Sequence, residues 1–397
     1  MKEANNIPQG YKNSPLGIIP KEWEVKRLGE VCTFHNGRAY NQKELLSQGK
    51  YRVLRVGNFF TNSSWYFSNL ELEDVKYADD GDLLYAWSAS FGPRFWKGEK
   101  VIYHYHIWKI DNFIKVTNTY LYTFLLFDAS NLTNTLQGGT MVHVTKENME
   151  RRYIAIPPIK EQDKICSILQ LWDTAIEKQS ELIEKLNLRK RALMQQLLTG
   201  KKRLLGFSGE WKRIKAGDIF MSSSVRGKRS EVLLSATQEH GVIPRDQLEG
   251  RVTMPTGNLD SFKLVEVGDF VISLRSFQGG IEYSEYKGIV SPAYTVLKPV
   301  KEIDNSFYRF YFKSADFIGH LAIAVIGIRD GKQISYEDFC FVKIPYPRIE
   351  EQKAISAILI QAEKEIELAK EKLANLQSQK RGLMQQLLTG KKRIMQL

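Results

Sequence analysis

The chain has 397 residues, 43% of them hydrophobic and 26% charged, which allows two or three domains and excludes a disordered or fibrous protein. Lysine and arginine outnumber aspartate and glutamate by 57 to 45; the net charge of +12 favours a polyanionic partner, above all nucleic acid, and a merely soluble basic protein is the alternative. Because the three cysteines form no CxxC or CxxH pair and no signal-like or membrane-spanning apolar segment occurs, we expect no disulfide framework, no zinc site and a cytoplasmic protein.

Residues 1–158 are predicted to form a globular block of mixed α/β structure. Short runs rich in β-branched and aromatic residues, at 51–60, 82–87 and 100–110, predict strands. One apolar stretch late in the block, near Tyr120–Asp128, predicts a helix.

The segment 159–203 is predicted to form one long helix, because apolar residues recur at alternating steps of four and three over five heptads. Pro157 and Pro158 precede the helix, and Gly200 stands where a C-terminal glycine ends a helix. This pattern is typical of a coiled coil. The predicted seam residues are Ile165, Leu169, Trp172, Ile176, Ile183, Leu186, Leu193 and Leu197.

Residues 204–347 are predicted to form a second block of mixed α/β structure. The runs at 231–236, 269–274 and 289–297 predict strands, and the stretch Ser306–Ser314 predicts an apolar helix.

The last segment, 348–397, repeats the first helix 190 residues later. KRALMQQLLTGKKR at 190–203 and KRGLMQQLLTGKKR at 380–393 agree at thirteen of fourteen positions, and EQDKICSIL aligns with EQKAISAIL at the same offset. The chain therefore consists of two repeats, each a globular block that differs between the copies followed by a helix that is nearly the same in both. The seam residues predicted in the second helix are Ile355, Leu359, Ile366, Leu373, Leu376, Leu383 and Leu387.

Charge predicts how the two helices pair. Acidic residues lie in the N-terminal half of each helix, whereas every charge from Lys185 to Arg203 and from Lys372 to Arg393 is basic. An antiparallel pair sets opposite charges side by side. We therefore expect an α/β (α+β) protein in which two globular domains are separated by two long antiparallel coiled-coil helices, with a pseudo-two-fold repeat. Two independent helices, each docked on its own domain, are the alternative.

Polar loops in both blocks carry side chains suited to reading DNA. Arginine pairs with guanine O6 and N7, glutamine or asparagine pairs with adenine N6 and N7, and serine, threonine and backbone amides bind phosphate. A solvated loop or turn is the alternative for each residue. The predicted DNA-binding residues are Arg38, Tyr40, Asn41, Ser88, Ser90, Arg94, Gln137, Thr140, Ser223, Arg226, Lys228, Arg229, Arg275, Gln278, Arg329, Lys332 and Gln333.

A second set of apolar residues widens the stripe on each helix beyond the seam. These residues either dock partner proteins or pack on the globular blocks, and the sequence leaves both possibilities open. The set predicted for partner docking is Ile168, Met194, Leu198, Ile358, Met384 and Leu388.

Four segments, GYKNSPLGIIPKEWEVKRLGEV, GDLLYAWSASFG, GDFVISLRSFQGG and the doubled EQ…LMQQLLTGKKR, together resemble the specificity subunit of Type I restriction–modification enzymes over nearly the whole chain. The resemblance implies that 1–158 and 204–347 are target recognition domains, each reading one half of a split, asymmetric site in double-stranded DNA. It implies that 159–203 and 348–397 are spacer helices that dock two methyltransferase subunits, with restriction subunits joining that core.

Motifs for catalysis are absent from the sequence. No Walker A loop, dinucleotide-binding glycine loop, HExxH or NPPY-like methyltransferase tetrapeptide occurs. We therefore expect no catalytic residue, metal or cofactor, and we expect His104 and His106, which alternate on a predicted strand, to lie in the core or face DNA. A coiled-coil scaffold, a stand-alone DNA-binding protein without restriction partners, and an enzyme with an unrecognised site are the alternatives.

Overall fold

The computed structural model describes residues 7–60, 62–88, 90–135, 144–248, 259–274, 276–324 and 334–394. The chain divides into two compact units, the first made of Met1–Lys178 with Leu373–Leu397 and the second of Gln179–Lys372. Each unit combines a globular α/β part with segments of both long helices, so the predicted fold class is confirmed. Within the described ranges, every helix is too short or too polar to cross a bilayer.

Strands of the first unit form two four-stranded sheets and two ribbons. One sheet has the order β6-β5-β10-β7, with β5 and β10 parallel, and the other is antiparallel with the order β4-β11-β8-β9. The ribbons pair β1 with β2 and β12 with β3. The strands are β1 Tyr11–Ser14, β2 Gly17–Pro20, β3 Glu24–Arg27, β4 Thr33–Asn36, β5 Tyr51–Leu54, β6 Tyr66–Ser68, β7 Tyr77–Ala78, β8 Leu83–Ser88, β9 Ser90–Phe95, β10 Val101–Tyr103, β11 Ile107–Asp111 and β12 Tyr153–Ile156.

Strands of the second unit form one four-stranded antiparallel sheet with the order β14-β21-β18-β19, and three ribbons that pair β13 with β22, β15 with β16 and β17 with β20. The strands are β13 Lys212–Lys215, β14 Phe220–Ser223, β15 Leu234–Thr237, β16 Gly241–Pro244, β17 Lys263–Val265, β18 Phe270–Ile272, β19 Glu282–Tyr283, β20 Gly288–Val290, β21 Thr295–Pro299 and β22 Lys343–Tyr346. The ribbons β3–β12 and β13–β22 occupy equivalent places in the repeat, each joining the start of a block to the strand before a long helix.

Two helices are far longer than the rest, α4 Ile159–Leu197 and α9 Ile349–Leu388. The part of α4 up to Lys178 belongs to the first unit and the remainder to the second. The shorter helices are α1 Val56–Phe60, α2 Asn118–Thr135, α3 Lys146–Glu150, α5 Ser276–Gly279, α6 Asn305–Tyr311, α7 Ala315–Ala324 and α8 Tyr336–Phe341.

The block elements differ from the sequence prediction in several places, and the runs 100–110 and 289–297 each contain two strands. The run 51–60 is a strand only as far as Leu54, and α1 follows because Gly57 and Asn58 disfavour a strand while Phe59 is buried beside Leu54. In the second block α7 follows α6, so the late apolar region holds two helices where the sequence predicted one.

In the first unit, the N-terminal part of α4 packs against the C-terminal part of α9. Ile165 and Leu169 share a hydrophobic cluster with Leu387. Lys380 forms an ion pair with Asp173. Because contacts later in α9 match positions earlier in α4, the two segments run antiparallel.

In the second unit, the C-terminal part of α4 packs against the N-terminal part of α9. Lys190 Nζ lies 2.7 Å from Glu363 Oε1, and the buried Gln179 donates a hydrogen bond of 2.9 Å to the carbonyl of Ala369. These segments are also antiparallel, so the orientation predicted from charge is found in each unit.

A buried carboxylate fastens the beginning of each long helix, and we call each set of contacts a Glu–Arg–Trp cluster. In the first cluster, Glu161 accepts hydrogen bonds from Trp23 Nε1 at 3.0 Å and from Arg393 Nε and Nη2 at 2.8 and 2.9 Å. In the second cluster, Glu351 accepts them from Trp211 Nε1 at 3.0 Å and from Arg203 Nε and Nη2 at 2.6 and 2.7 Å. The duplicated EQ and GKKR motifs are thus paired with each other, one from each helix.

The glycine that ends each long helix returns the basic tail toward its cluster. Gly200 and Gly390 have φ values of 72° and 68°, the left-handed region that favours glycine. A Cβ at Gly390 would lie 2.5 Å from Pro20 Cδ, and one at Gly200 would lie 3.1 Å from the Trp211 ring. Glycine is therefore required at both positions by conformation and by space.

The glutamines beside the two buried glutamates tie the globular blocks to the helices. Gln162 donates to the carbonyl oxygens of Lys115 and Pro157 and accepts the backbone N–H of Thr117. Gln352 donates to the Pro347 carbonyl and accepts the N–H of Asp304. The position of each block against its helix therefore depends on residues within the repeat.

Candidate nucleic-acid interface

Arg38, Tyr40 and Asn41 follow β4 and lie against the turn between β10 and β11. The Arg38 N–H donates to the Tyr103 carbonyl at 3.1 Å, and the Arg38 carbonyl accepts from the Tyr105 N–H at 3.0 Å. Asn41 Oδ1 accepts two backbone N–H groups of the following 3-10 turn, at 3.0 and 3.2 Å. The Asn41 oxygen therefore caps that turn. The side chains of Arg38 and Tyr40 are the ones of the three that could contact DNA here.

The other predicted residues of the first block lie on the hairpin β8–β9 or outside the described residues. Ser88 is buried at the end of β8, and Ser90 pairs with it across the hairpin. Arg94 is exposed, with its guanidinium 4.9 Å from the centre of the Phe60 ring. It borders a groove of about 660 Å³ that Tyr122 also lines. Gln137 and Thr140 lie outside the described residues.

In the second unit, a cationic loop follows β14. Ser223 is half-buried at the end of the strand, and Arg226, Lys228 and Arg229 are exposed. Arg229 Nε lies 3.4 Å from Asp260 Oδ1. Burial, together with the nearby charge of Arg226, lowers the pKa of Lys263. The loop therefore presents three exposed cations, one of them beside an aspartate.

Five other predicted residues of the second block are not described at the level of their side chains. Gln278 lies in α5, but its side chain is outside the described residues. Four residues lie outside them altogether, namely Arg275, Arg329, Lys332 and Gln333. Their assignment to DNA binding stays a prediction.

The structure also brings together polar residues that the sequence analysis missed. The ribbon β15–β16 and the turn after β16 border a cleft of about 710 Å³. Its lining includes Gln238, His240, Arg245 and Gln247, together with Ser273 just after β18. A two-stranded ribbon fits the DNA major groove, and amide and guanidinium groups match base edges there. The run TQEHG, a polar stretch directly after the predicted strand 231–236, was the available signal.

The residues predicted for the seam are all buried or half-buried along α4 and α9. The residues predicted for partner docking lie in or against the hydrophobic clusters of the two units, and their assignment to docking stays a prediction. Met384 and Leu388 are buried in the cluster of the first unit, and Leu198 in that of the second. Ile168, Met194 and Ile358 pack against these clusters and are half-buried. The alternative left open above, packing on the globular blocks, accounts for these side chains.

Metal-ligand chemistry is not assembled in the described part of the chain. No group of three or more histidine, cysteine, aspartate or glutamate side chains is arranged there to hold an ion. His104 and His106 contact each other and neighbouring aromatic rings.

Comparisons with known proteins agree with this division into two copies. Residues 20–188 and 208–378 match the family model described as the Type I restriction modification DNA specificity domain. The chain is similar to the Type I restriction enzyme MjaVIII specificity subunit of Methanocaldococcus jannaschii, with 27% identity over 96% of this chain and 95% of that protein. It is also similar to the putative MjaX specificity subunit of the same organism, with 24% identity over 97% of both.

Two solved structures share the fold. One is the Type I restriction–modification system S subunit from M. genitalium, with a TM-score of 0.52 and 15% identity over 98% of both chains. The other belongs to a study of complex assembly and conformational transition of the type I R-M system, with a TM-score of 0.61 and 16% identity over 94% of this chain and 99% of that one.

Proposed function

Because the chain belongs to the Type I restriction–modification DNA specificity family, we propose that it is a specificity subunit that reads a bipartite, asymmetric DNA site. The observation that carries this proposal is the duplicated framework: two equivalent Glu–Arg–Trp clusters hold two globular blocks that share the strand order of one four-stranded sheet but differ in sequence and in their remaining strands. Two similar helical frameworks that carry two different globular blocks fit a DNA site whose two halves differ in sequence.

The proposal assigns target recognition to residues 1–158 and 204–347. Residues 159–203 and 348–397 are the helical spacer, because these parts carry the repeat and the antiparallel seam. The loop cations Arg226, Lys228 and Arg229 are exposed and fit phosphate anchoring, which depends on charge and not on base identity. Side chains that are held in one orientation by neighbouring residues are better suited to base reading, because hydrogen bonds to base edges are directional.

Catalysis is assigned to partner proteins. The proposed partners are two methyltransferase subunits on the helices and, through that core, restriction subunits. Exposed leucines on the helices, among them Leu171, Leu188 and Leu368, leave apolar surface for such contacts. The proposal includes a cytoplasmic location, because a specificity subunit must meet chromosomal or invading DNA, which is found in the cytoplasm.

The test compares the purified chain alone with the chain in complex with the methyltransferase subunits encoded beside it. We expect adenine methylation dependent on S-adenosylmethionine from the complex only, at one bipartite motif identified by methylome sequencing. Methyl transfer by the isolated chain would contradict the non-catalytic assignment. DNA binding without any gain of methylation on adding the partners would favour a stand-alone DNA-binding protein, and no DNA binding by either sample would favour a scaffold.

A further inference from the structure

The Arg38 side chain in the first unit is held on one side and unpaired on the other. Its Nη2 donates to Glu44 Oε1 at 2.6 Å. The other carboxylate oxygen of Glu44 accepts the backbone N–H of Asn41 at 3.0 Å, which fixes the carboxylate. Arg38 Nη1 is buried and has no hydrogen-bond partner. The guanidinium is therefore oriented in advance, with donor capacity left over.

Two further polar atoms near Arg38 in the fold are buried without a partner: Tyr40 Oη, and Arg55 Nε on the other side of the His104 backbone, where the Arg55 guanidinium lies 4.5 Å from the centre of the Tyr66 ring. The Arg38 guanidinium lies 5.2 Å from the centre of the Tyr40 ring, which stacks on the His104 ring at 6.3 Å. The His104 N–H donates to the carbonyl of Leu54, the residue before Arg55. Buried polar groups in native proteins are nearly always hydrogen-bonded, and a bound ligand is one explanation for the exceptions. The unpaired atoms of Arg38 and Tyr40, which lie side by side, indicate that a ligand supplies the missing partners.

The charges of the patch favour a neutral ligand over a phosphate. The Arg38 guanidinium lowers the pKa of Glu44, so the carboxylate is ionised and offsets the arginine charge. Burial, with the charges of His106 and Arg55, lowers the pKa of His104 to about 4, so this ring is neutral at physiological pH. A phosphate at Arg38 would be repelled by the Glu44 carboxylate, whereas the uncharged edge of a base would not. Aromatic rings on one side suit a planar ligand.

We propose that Arg38, positioned by Glu44, reads a guanine in the half-site bound by the first unit, with the Tyr40 ring beside its guanidinium. This inference rests on the proposed function. An arginine side chain has donors and no acceptor, and guanine presents two acceptors, O6 and N7, in the major groove. Adenine and cytosine present an amino group there, which would face the arginine donors unpaired. Glu44 is a positioning residue and does not itself contact the base.

The experiment uses the full chain assembled with its methyltransferase subunits. Binding is measured against a DNA library in which each position of the motif is varied in turn. We expect Arg38→Gln to weaken binding at one guanine by about 5- to 150-fold and to shift the preference there toward adenine, because a glutamine amide pairs with adenine N6 and N7. Glu44→Gln should weaken the same preference without replacing it. Arg52→Ala is the matched control, since the exposed Arg52 belongs to the same unit and carries the same charge.

A second measurement leaves the protein unchanged and so does not depend on the folding of a variant. Replacing the guanine by 7-deazaguanine removes the N7 acceptor, which should weaken binding of the wild-type complex by about tenfold and leave the Arg38→Gln complex unaffected. A wild-type motif whose first-unit half contains no guanine sensitive to this replacement would overturn the assignment while leaving the proposed function intact. So would an Arg38→Gln profile equal to that of Arg52→Ala. A wild-type complex without any sequence preference would overturn both.

Discussion

Arg393→Ala tests whether the first Glu–Arg–Trp cluster holds the beginning of α4 in place. The variant removes two of the three hydrogen bonds to Glu161, whose side chain is 1% exposed, and leaves only the Trp23 donor. Removing one partner of a buried ion pair costs about 3–5 kcal/mol because the remaining charge is uncompensated. Since the Arg393 side chain is 16% exposed, water can replace part of the loss. We expect a loss of about 2–4 kcal/mol in the unfolding free energy of the first unit.

The chain offers a matched control in the same guanidinium. Arg393 Nη2 also lies 2.8 Å from Glu22 Oε2, and the Glu22 side chain is 67% exposed. Glu22→Gln should therefore cost less than about 1 kcal/mol, as for other surface ion pairs. The assay is urea denaturation combined with hydrogen exchange of peptides from the first turns of α4.

A double variant separates the buried charge from the loss of packing. Adding Glu161→Gln to Arg393→Ala removes the uncompensated charge and keeps an oxygen for Trp23, so the double variant should be more stable than Arg393→Ala alone. Equal losses for Arg393→Ala and Glu22→Gln, or no recovery in the double variant, would refute the reasoning.

Three shorter predictions concern recognition. Lys228→Ala should weaken binding to all sequences alike and reduce the slope of log K against log salt by about one. Arg275→Ala should cost about 1–3 kcal/mol of binding free energy at one half-site only. Titrations at several salt concentrations distinguish the two variants, and the same uniform loss for both would contradict the assignment of Lys228 to phosphate and Arg275 to a base. Replacing residues 204–347 by the matching block of a relative should change one half of the methylated motif, and a methylome with both halves altered would count against independent readers. Gly37→Ala should lower Tm and weaken binding at the first half-site, because its Cβ would lie 2.3 Å from the His104 carbonyl oxygen. Unchanged thermal unfolding would contradict this expectation, since it would show that the backbone near His104 shifts at little cost in free energy.

The helices were predictable because their signals are local. A heptad pattern, a terminal glycine and a segregation of charge all lie within one stretch of sequence, so the antiparallel orientation followed from charges such as those of Lys380 and Asp173. The partners of Glu161 were not predictable in the same way. Trp23 and Arg393 are distant in the chain, and the sequence shows only that each motif is repeated.

The candidate site was less predictable than the fold. The segment containing Arg38 stood out as a polar loop, but its bond to Glu44 depends on a local turn, and its proximity to Arg55 depends on how β5 and β10 pair. Arg55 lies in the run 51–60, which the sequence predicts to be one strand, so nothing in the sequence marks it as a residue of the site. The docking residues stay a prediction for a related reason: an apolar stripe does not reveal which surface covers it, and Leu198 and Leu388 pack within the cores of their own units.

The division into units has a consequence for synthesis on the ribosome. The second unit, Gln179–Lys372, is one continuous stretch of chain, whereas the first is interrupted and includes residues from Leu373 onward. Domains fold as their residues emerge, usually beginning with the N-terminal one. Here the order is reversed, because the first-made unit must wait for Met384, Leu387 and Arg393 before its core and its buried carboxylate are satisfied. A chain cut short near residue 372 would therefore contain the whole second unit but lack part of the first, whose apolar core would be exposed to chaperones and proteases.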